Sequence, residues 1–130
     1  MPRSRLYAAP TLALGVGLAL AAGCRSATDA EPVLVRLGNA SPYTFTAVVA
    51  TFPSGERTEV QALPSGATTA YLAVREAYRY THVEATVEGD RRVAHPIDYV
   101  GETPLAPGRY TYHLTTAPTG RGLGMELRRD

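Results

Sequence analysis

Three histidines supply ring nitrogens that could bind a metal ion: His82, His95 and His113. His82 and His113 fall on the polar parity of two candidate strands. If those strands pair, both rings would meet on an outer face with Glu84 nearby, and copper or zinc accepts such donors. No short His-x-His or His-x-x-x-His spacing supports this, and solvent-facing histidines are the simpler interpretation. The sequence therefore predicts no metal and no cofactor, with His82 and His113 as the pair to test.

Two carboxylates are spaced so that they could act as an acid and a base. Asp98 and Glu102 flank Tyr99-Val-Gly, and such a pair in a concave site would serve a hydrolase. Carboxylates in loops more often cap turns, however. A Gly-x-Ser-x-Gly nucleophile elbow is absent, and Ser54 and Ser65 sit inside Pro-Ser-Gly turns. The sequence therefore predicts that the chain is not an enzyme.

A tyrosine- and arginine-rich segment could bind a partner by contact rather than by chemistry. Tyr78-Arg79-Tyr80 forms its centre, and Tyr99 and Tyr43 are further tyrosines considered with it. Tyrosine and arginine are enriched among the residues that dominate binding energies. Tyrosine is also an ordinary strand former, which favours a structural role. The possible interface therefore consists of Tyr78, Arg79, Tyr80 and Tyr99.

The single cysteine, Cys24, follows a segment with the features of an export signal. Arg3 and Arg5 give a positive start, and an apolar stretch runs from Leu12 to Ala22. Its length suits a signal peptide and is short for a membrane-spanning helix. Small residues then lead directly to the cysteine, as Leu20-Ala-Ala-Gly23-Cys24. An ordinary secretory signal and an uncleaved anchor are the alternatives.

This arrangement resembles the lipobox of bacterial lipoproteins, with alanine at position 21 where leucine is more usual. The resemblance implies that the Cys24 thiol takes a diacylglyceryl group and that a dedicated peptidase cuts between Gly23 and Cys24. Two or more acyl chains give stable membrane anchoring, whereas one is marginal. It also implies an extracytoplasmic location, and Arg25 after the cysteine is compatible with the outer membrane in a Gram-negative host. Residues 1–23 are thus expected to be a signal helix.

The remaining chain begins with a short polar tether and carries almost no net charge. Residues 24–32 lack periodicity and would reach roughly 15 Å as a flexible chain. Without Arg3 and Arg5, 11 arginines face 12 acidic residues, a net charge of about −1. No basic patch emerges, so nucleic acid is not an expected partner. The membrane, through Cys24, and an envelope protein are the expected partners.

Residues 33–130 alternate between apolar and polar positions, which predicts strands rather than helices. Turns of the Pro-Ser-Gly kind and the tight Glu88–Arg91 candidate separate the runs at intervals typical of an antiparallel sandwich. Pro96 should confine its strand to a sheet edge, and Tyr110 should bury its ring and bond upstream backbone. The predicted strands are Val33–Asn39, Thr44–Phe52, Thr58–Leu63, Thr68–Val74, Tyr80–Glu88, Arg92–Tyr99, Arg109–Thr116 and Leu123–Arg128.

Three segments resemble uncharacterised extracytoplasmic β-sandwich domains of bacterial lipoproteins: residues 36–42, 77–80 and 96–112. The resemblance implies an all-β, small antiparallel β-sandwich, immunoglobulin-like or prealbumin-like, with seven to eight strands. It supplies no catalytic residues. The resulting prediction is a membrane-anchored lipoprotein that acts as a non-enzymatic binding or accessory module of the cell envelope. The alternative is a lipoprotein that binds a ligand or metal through its histidine and tyrosine face.

Overall fold

The computed structural model describes residues 31–117 and 122–130. The expected signal helix, Cys24 and the predicted turn at 118–120 lie outside these residues. All regular structure within the described ranges is β-strand, and they contain no helix long and apolar enough to span a bilayer. The strands are β1 (Val33–Asn39), β2 (Phe45–Thr51), β3 (Arg57–Val60), β4 (Leu72–Val74), β5 (His82–Val87), β6 (Asp90–Ala94), β7 (Gly108–Thr116) and β8 (Leu123–Arg129).

These strands form two four-stranded sheets that pack face to face as a sandwich. The first sheet has the order β4-β1-β7-β8, and the second has the order β3-β2-β5-β6. The predicted all-β sandwich is therefore confirmed. The second strand, apolar on both parities, lies inside its sheet between β3 and β5 as expected for a central strand.

One strand pair departs from the expected antiparallel pattern. β1 runs parallel to β7, with Val33 opposite Gly108 and Asn39 opposite Leu114. Parallel strands need a long crossover between them, and here the chain builds the whole second sheet between β1 and β7. Periodicity reports which side chains are buried but not the direction of a distant partner strand. The departure therefore could not be seen in the alternation.

Five predicted strands are shorter in the structure, and two of them, the fourth and the sixth, have an identified local cause. The fourth was predicted from Thr68 but begins only at Leu72. Thr69 instead accepts a bond from the Leu37 amide through its side-chain hydroxyl oxygen (3.0 Å), in place of a backbone carbonyl. The sixth was predicted to reach Tyr99 but ends at Ala94, before Pro96, which cannot donate to a sheet ladder.

The core lies between the sheets and follows the predicted parity. The inward side chains of β1, β5 and β7 are all buried, and those of β8 are buried or half-buried. Tyr110 buries its ring and donates its hydroxyl proton to the Ala106 carbonyl at 2.7 Å, which confirms the predicted tyrosine corner. The fully buried side chains with the largest volumes are Tyr112, Phe45, Leu37 and Leu114.

The hairpin between β5 and β6 turns in two residues, Glu88 and Gly89. Val87 pairs with Asp90 across it, and both turn residues have positive φ, 50° at Glu88 and 81° at Gly89. This is the backbone of a type I′ turn, whose preferred sequence is Asn-Gly. The backbone of Glu88 therefore adopts the left-handed conformation, which asparagine tolerates better than glutamate does.

We expect Glu88→Asn to stabilise the domain by about 0.5 to 1 kcal/mol, because it relieves the strain at this φ. The melting temperature should rise by about 4 °C, measured by circular dichroism. Glu88→Gln is the matched control, since it removes the charge without improving tolerance of positive φ, and should leave the melting temperature nearly unchanged. An equal rise in both variants would assign the effect to charge instead.

Candidate functional site

Two irregular segments, both of which connect the two sheets, meet through a backbone hydrogen bond. The segment 75–81 leads from β4 to β5, and the loop 95–107 leads from β6 to β7. Ala77 is fully buried, and its carbonyl accepts a hydrogen bond from the Leu105 amide at 2.8 Å. This bond fastens the loop to the segment that carries the tyrosines.

Three tyrosine rings stack where these segments meet. The Tyr99 ring lies 4.8 Å from the Tyr78 ring at an angle of 17°. Its distance to the Tyr80 ring is 6.1 Å at 20°. The Arg79 guanidinium lies 5.3 Å from the centre of the Tyr80 ring. The structure thus brings together all four residues of the predicted interface, and their role as an interface stays a prediction.

Carboxylates hold two of the three tyrosine hydroxyls in place. Tyr80 donates to Glu102 at 2.5 Å, and Tyr78 donates to Glu76. Each of these bonds raises the pKa of its tyrosine, because the carboxylate accepts from the neutral hydroxyl and repels a phenolate. Burial raises the pKa of Tyr99 in the same direction. The tyrosine hydroxyls of the stack therefore keep their protons at neutral pH.

Tyr112 supports the stack from the core. Its ring is fully buried and lies 5.9 Å from the Phe52 ring. Its hydroxyl donates to the Tyr78 carbonyl at 2.5 Å, and burial raises its pKa well above the ordinary value. The position of Tyr78 is therefore set by a core side chain of β7, a strand of the first sheet.

Two apolar side chains stand almost free in the same loop. Ile97 is 96% exposed and Val100 is 87% exposed. Asp98 accepts a hydrogen bond from the Val100 amide at 3.0 Å and so orders the turn between them. We call Tyr78, Tyr80, Tyr99, Ile97 and Val100 the tyrosine surface.

An open cleft of about 640 Å³ adjoins the tyrosine surface, where the edge strands β6 and β8 meet. A backbone bridge joins Val93 to Gly122 at this corner. The cleft walls are mainly apolar, and its lining includes Tyr80, Ala94, Ile97, Leu123 and Met125. A smaller cavity of about 310 Å³ lies beside it, with Phe52, His82, His95 and Tyr99 in its wall.

Asp98 and Glu102 have separate local partners. Asp98 accepts from the Val100 amide, as an ordinary turn cap does. Glu102 accepts from Tyr80 and lies 3.3 Å from the Arg79 guanidinium. Asp98 borders the open cleft, whereas Glu102 is taken up by the tyrosine stack. Nothing in these contacts directs the two carboxyl groups to a common substrate.

The histidine pair that sequence parity indicated does not form. His82 begins β5 in the second sheet, whereas His113 lies on β7 in the first. Both side chains alternate with core residues, so they face opposite sides of the sandwich. The condition for a His82–His113 metal site, pairing of these two strands, is therefore not met.

His82 instead meets His95. Their Nδ1 atoms are 2.8 Å apart, and the ring planes cross at 87°. The predicted turn Glu88–Arg91 would pair Glu88 with Arg91 and place His82 opposite Ile97. In the structure the turn is shorter: Val87 pairs with Asp90, and the same counting places His82 opposite His95. The contact was missed because the turn was placed one residue too late.

No family model and no curated protein matches this chain. A solved structure does match, the NMR structure of a protein from Eubacterium rectale, with a TM-score of 0.52 and 16% identity. The match covers 73% of this chain and 88% of that chain. At this identity the likeness shows the fold alone, and it agrees with the sandwich described above.

Proposed function

We propose that this chain is a lipid-anchored lipoprotein of the cell envelope and that its domain is a non-enzymatic module that binds a partner protein through the tyrosine surface. The observation that carries the proposal is the exposure of Ile97 and Val100, 96% and 87%, beside three stacked tyrosines. Such a cluster combines exposed apolar side chains with the residue types that dominate protein interfaces.

The position of the tether supports the proposal. β1 begins at Val33, which lies opposite Gly108 of β7 and Val74 of β4. The loop 95–107 leads into Gly108, and the tyrosine segment follows Val74. The tether therefore enters at the end of the first sheet from which both segments depart. With a lipid on Cys24 and a reach of roughly 15 Å, the start of β1 would lie close to the membrane.

The polar groups at the surface support binding more than chemistry. The tyrosine hydroxyls keep their protons, as their raised pKa values indicate, and Glu102 is engaged by Tyr80 and Arg79. A reacting centre needs a nucleophile next to a free base. The tyrosine surface offers rigid rings held from the core, which lose little entropy when a partner covers them.

We expect the double variant Ile97→Glu/Val100→Glu to weaken partner binding by about 30-fold, which corresponds to about 2 kcal/mol at a binding hot spot. Both side chains are exposed, so the folding stability should change by less than about 0.5 kcal/mol. Binding is measured in membranes with a photo-crosslinking amino acid placed at Arg79, beside the stack. The crosslinked protein band should nearly disappear in the double variant.

Two controls distinguish this interface from nonspecific binding. Tyr43→Ser removes another exposed side chain, 39% exposed and outside the tyrosine surface, and should leave the crosslink unchanged. A crosslinker at Glu59, on the edge strand β3, should give no specific band. Equal crosslinks from Arg79 and Glu59, or a crosslink from Arg79 to lipid only, would contradict a protein interface at the tyrosine surface.

A further inference from the structure

The hairpin places two histidines side by side on the outer face of the second sheet. Val83 pairs with Ala94, so His82 and His95, each one residue farther from the turn, lie opposite each other. Opposite residues of antiparallel strands share a face, with Cβ atoms only about 5 Å apart. His82 has an exposed side-chain fraction of 30%, and His95 is exposed. Both rings are therefore accessible to an ion from solvent.

The two rings direct the same nitrogen toward each other. Their Nδ1 atoms are 2.8 Å apart and their ring planes are nearly perpendicular, at 87°. The other nitrogen of His82, Nε2, lies 3.4 Å from the Glu84 carboxylate. Arg91 donates to the same carboxylate oxygen. The Arg91 bond also lowers the pKa of Glu84, which therefore stays ionised.

This carboxylate sets the tautomer of His82. An ionised carboxylate only accepts hydrogen bonds, so His82 must carry its proton on Nε2. In the neutral ring the lone pair then lies on Nδ1, the atom that faces His95. With this tautomer of His82, the 2.8 Å contact is a hydrogen bond when the His95 ring donates from its own Nδ1. A metal-binding histidine usually donates the N–H of its other ring nitrogen to a carboxylate, a backbone carbonyl or water, which orients the ring.

We propose that His82 and His95 form a two-histidine site for Cu²⁺, with their two Nδ1 atoms as ligands to one ion. Two nitrogens 2.8 Å apart, each about 2.0 Å from a shared ion, subtend about 90° at that ion. That is the angle between neighbouring ligands in the tetragonal geometry of Cu²⁺. A tetrahedral Zn²⁺ would need the nitrogens to separate to about 3.3 Å. On binding, the His95 ring releases its Nδ1 proton to water and takes one up from water on Nε2, so that both Nδ1 lone pairs are free for the ion.

Water would complete the coordination. Within residues 31–117 and 122–130, no group of three or more His, Cys, Asp or Glu side chains is placed to hold a metal. Both histidines border the cavity of about 310 Å³, which has room for water ligands. The site would join the start of β5 to the loop 95–107, next to Tyr99. It does not depend on the proposed partner or on the lipid anchor.

The test is a titration of the full chain carrying Cys24→Ser, so that no thiol competes, in mild detergent with Cu²⁺ supplied as its glycine complex. We expect one saturable site by calorimetry and electron spin echo modulation from two imidazoles. His82→Ala and His95→Ala should each weaken Cu²⁺ binding by about 100-fold or more. Loss of a residue that only hydrogen-bonds to a ligand already costs about 10-fold, and loss of the ligand itself costs more. Glu84→Gln, which changes the residue that supports His82, should weaken Cu²⁺ binding by only about 10-fold.

His113→Ala is the matched control, since it removes a histidine from the opposite face and should leave Cu²⁺ binding unchanged. His95 is exposed, so its alanine variant tests the site in a folded domain, which circular dichroism verifies. The proposal is overturned by the absence of saturable binding, by binding that survives in His95→Ala, or by an equal loss in His113→Ala. A failure here would leave the tyrosine-surface crosslinks untouched, and the reverse also holds.

Discussion

Tyr112→Ala is expected to destabilise the domain by about 4 kcal/mol, the upper range for truncating a buried aromatic side chain. Tyr112 is fully buried, its ring contacts Phe52, and its hydroxyl donates to the Tyr78 carbonyl. The substitution removes the ring and leaves that carbonyl without its donor. Because small domains are stable by only about 5 to 15 kcal/mol, this is a large fraction of the total. The melting temperature should fall by about 20 °C in circular dichroism.

Tyr112→Phe separates the two contributions. It keeps the ring in the core and loses only the hydrogen bond, so the expected cost is about 1 to 2 kcal/mol. Tyr43→Ala truncates an exposed tyrosine and should cost less than about 0.5 kcal/mol. If Tyr112→Phe were as destabilising as Tyr112→Ala, the hydroxyl rather than the packing would hold this end of the core. A loss below about 1 kcal/mol in Tyr112→Ala would contradict the burial itself.

Cys24→Ser is expected to abolish lipid attachment completely. A hydroxyl cannot take the place of the thiol that, by resemblance to lipoproteins, receives the diacylglyceryl group. Cleavage after Gly23 should fail as well, so the chain should accumulate as a precursor that retains residues 1–23. Metabolic labelling with a fatty-acid analogue and gel migration measure both effects in one experiment.

Ser26→Ala provides the neighbouring control for this variant. It changes a hydroxyl two residues from the cysteine and should keep both the label and the mature size. Persistent labelling of Cys24→Ser would place the lipid on another residue. A chain of mature size without label in Cys24→Ser would favour an ordinary secretory signal, one of the alternatives that the sequence leaves open.

The local part of the fold could be predicted because alternation alone determines it. Val33–Asn39 was predicted with the same bounds as β1, and β7 and β8 differ from their predicted ranges by one residue. The Tyr110 hydroxyl bond also followed from local sequence. Where a side chain replaces a backbone partner, as Thr69 does for Leu37, alternation overestimates the strand.

The nonlocal part could not be predicted on the same basis. The parallel pairing of β1 with β7 and the assignment of β5 and β7 to different sheets depend on packing between distant segments. The pairing of His82 with His113 was an inference of that kind, and it was wrong. The contact of His82 with His95 is different, because a two-residue turn at Glu88-Gly89 fixes it by counting.

The candidate surface combines both kinds of information. Tyr78, Arg79 and Tyr80 are neighbours in the chain, so their grouping is visible in the sequence. The stacking of Tyr99 on Tyr78 and Tyr80 depends on where the loop 95–107 folds back. The exposure of Ile97 and Val100 in that loop is likewise visible only in the fold. Their apolar character alone would have assigned them to the core.

The proposed lipid anchor on Cys24 is the basis for placing this domain at a membrane, and intact mass spectrometry of the native chain tests it most directly. We predict a chain that begins at Cys24, lacks residues 1–23, and carries the added mass of a diacylglyceryl group on that cysteine. A chain that still contains residues 1–23, or a mature chain whose Cys24 is unmodified, would contradict the anchor.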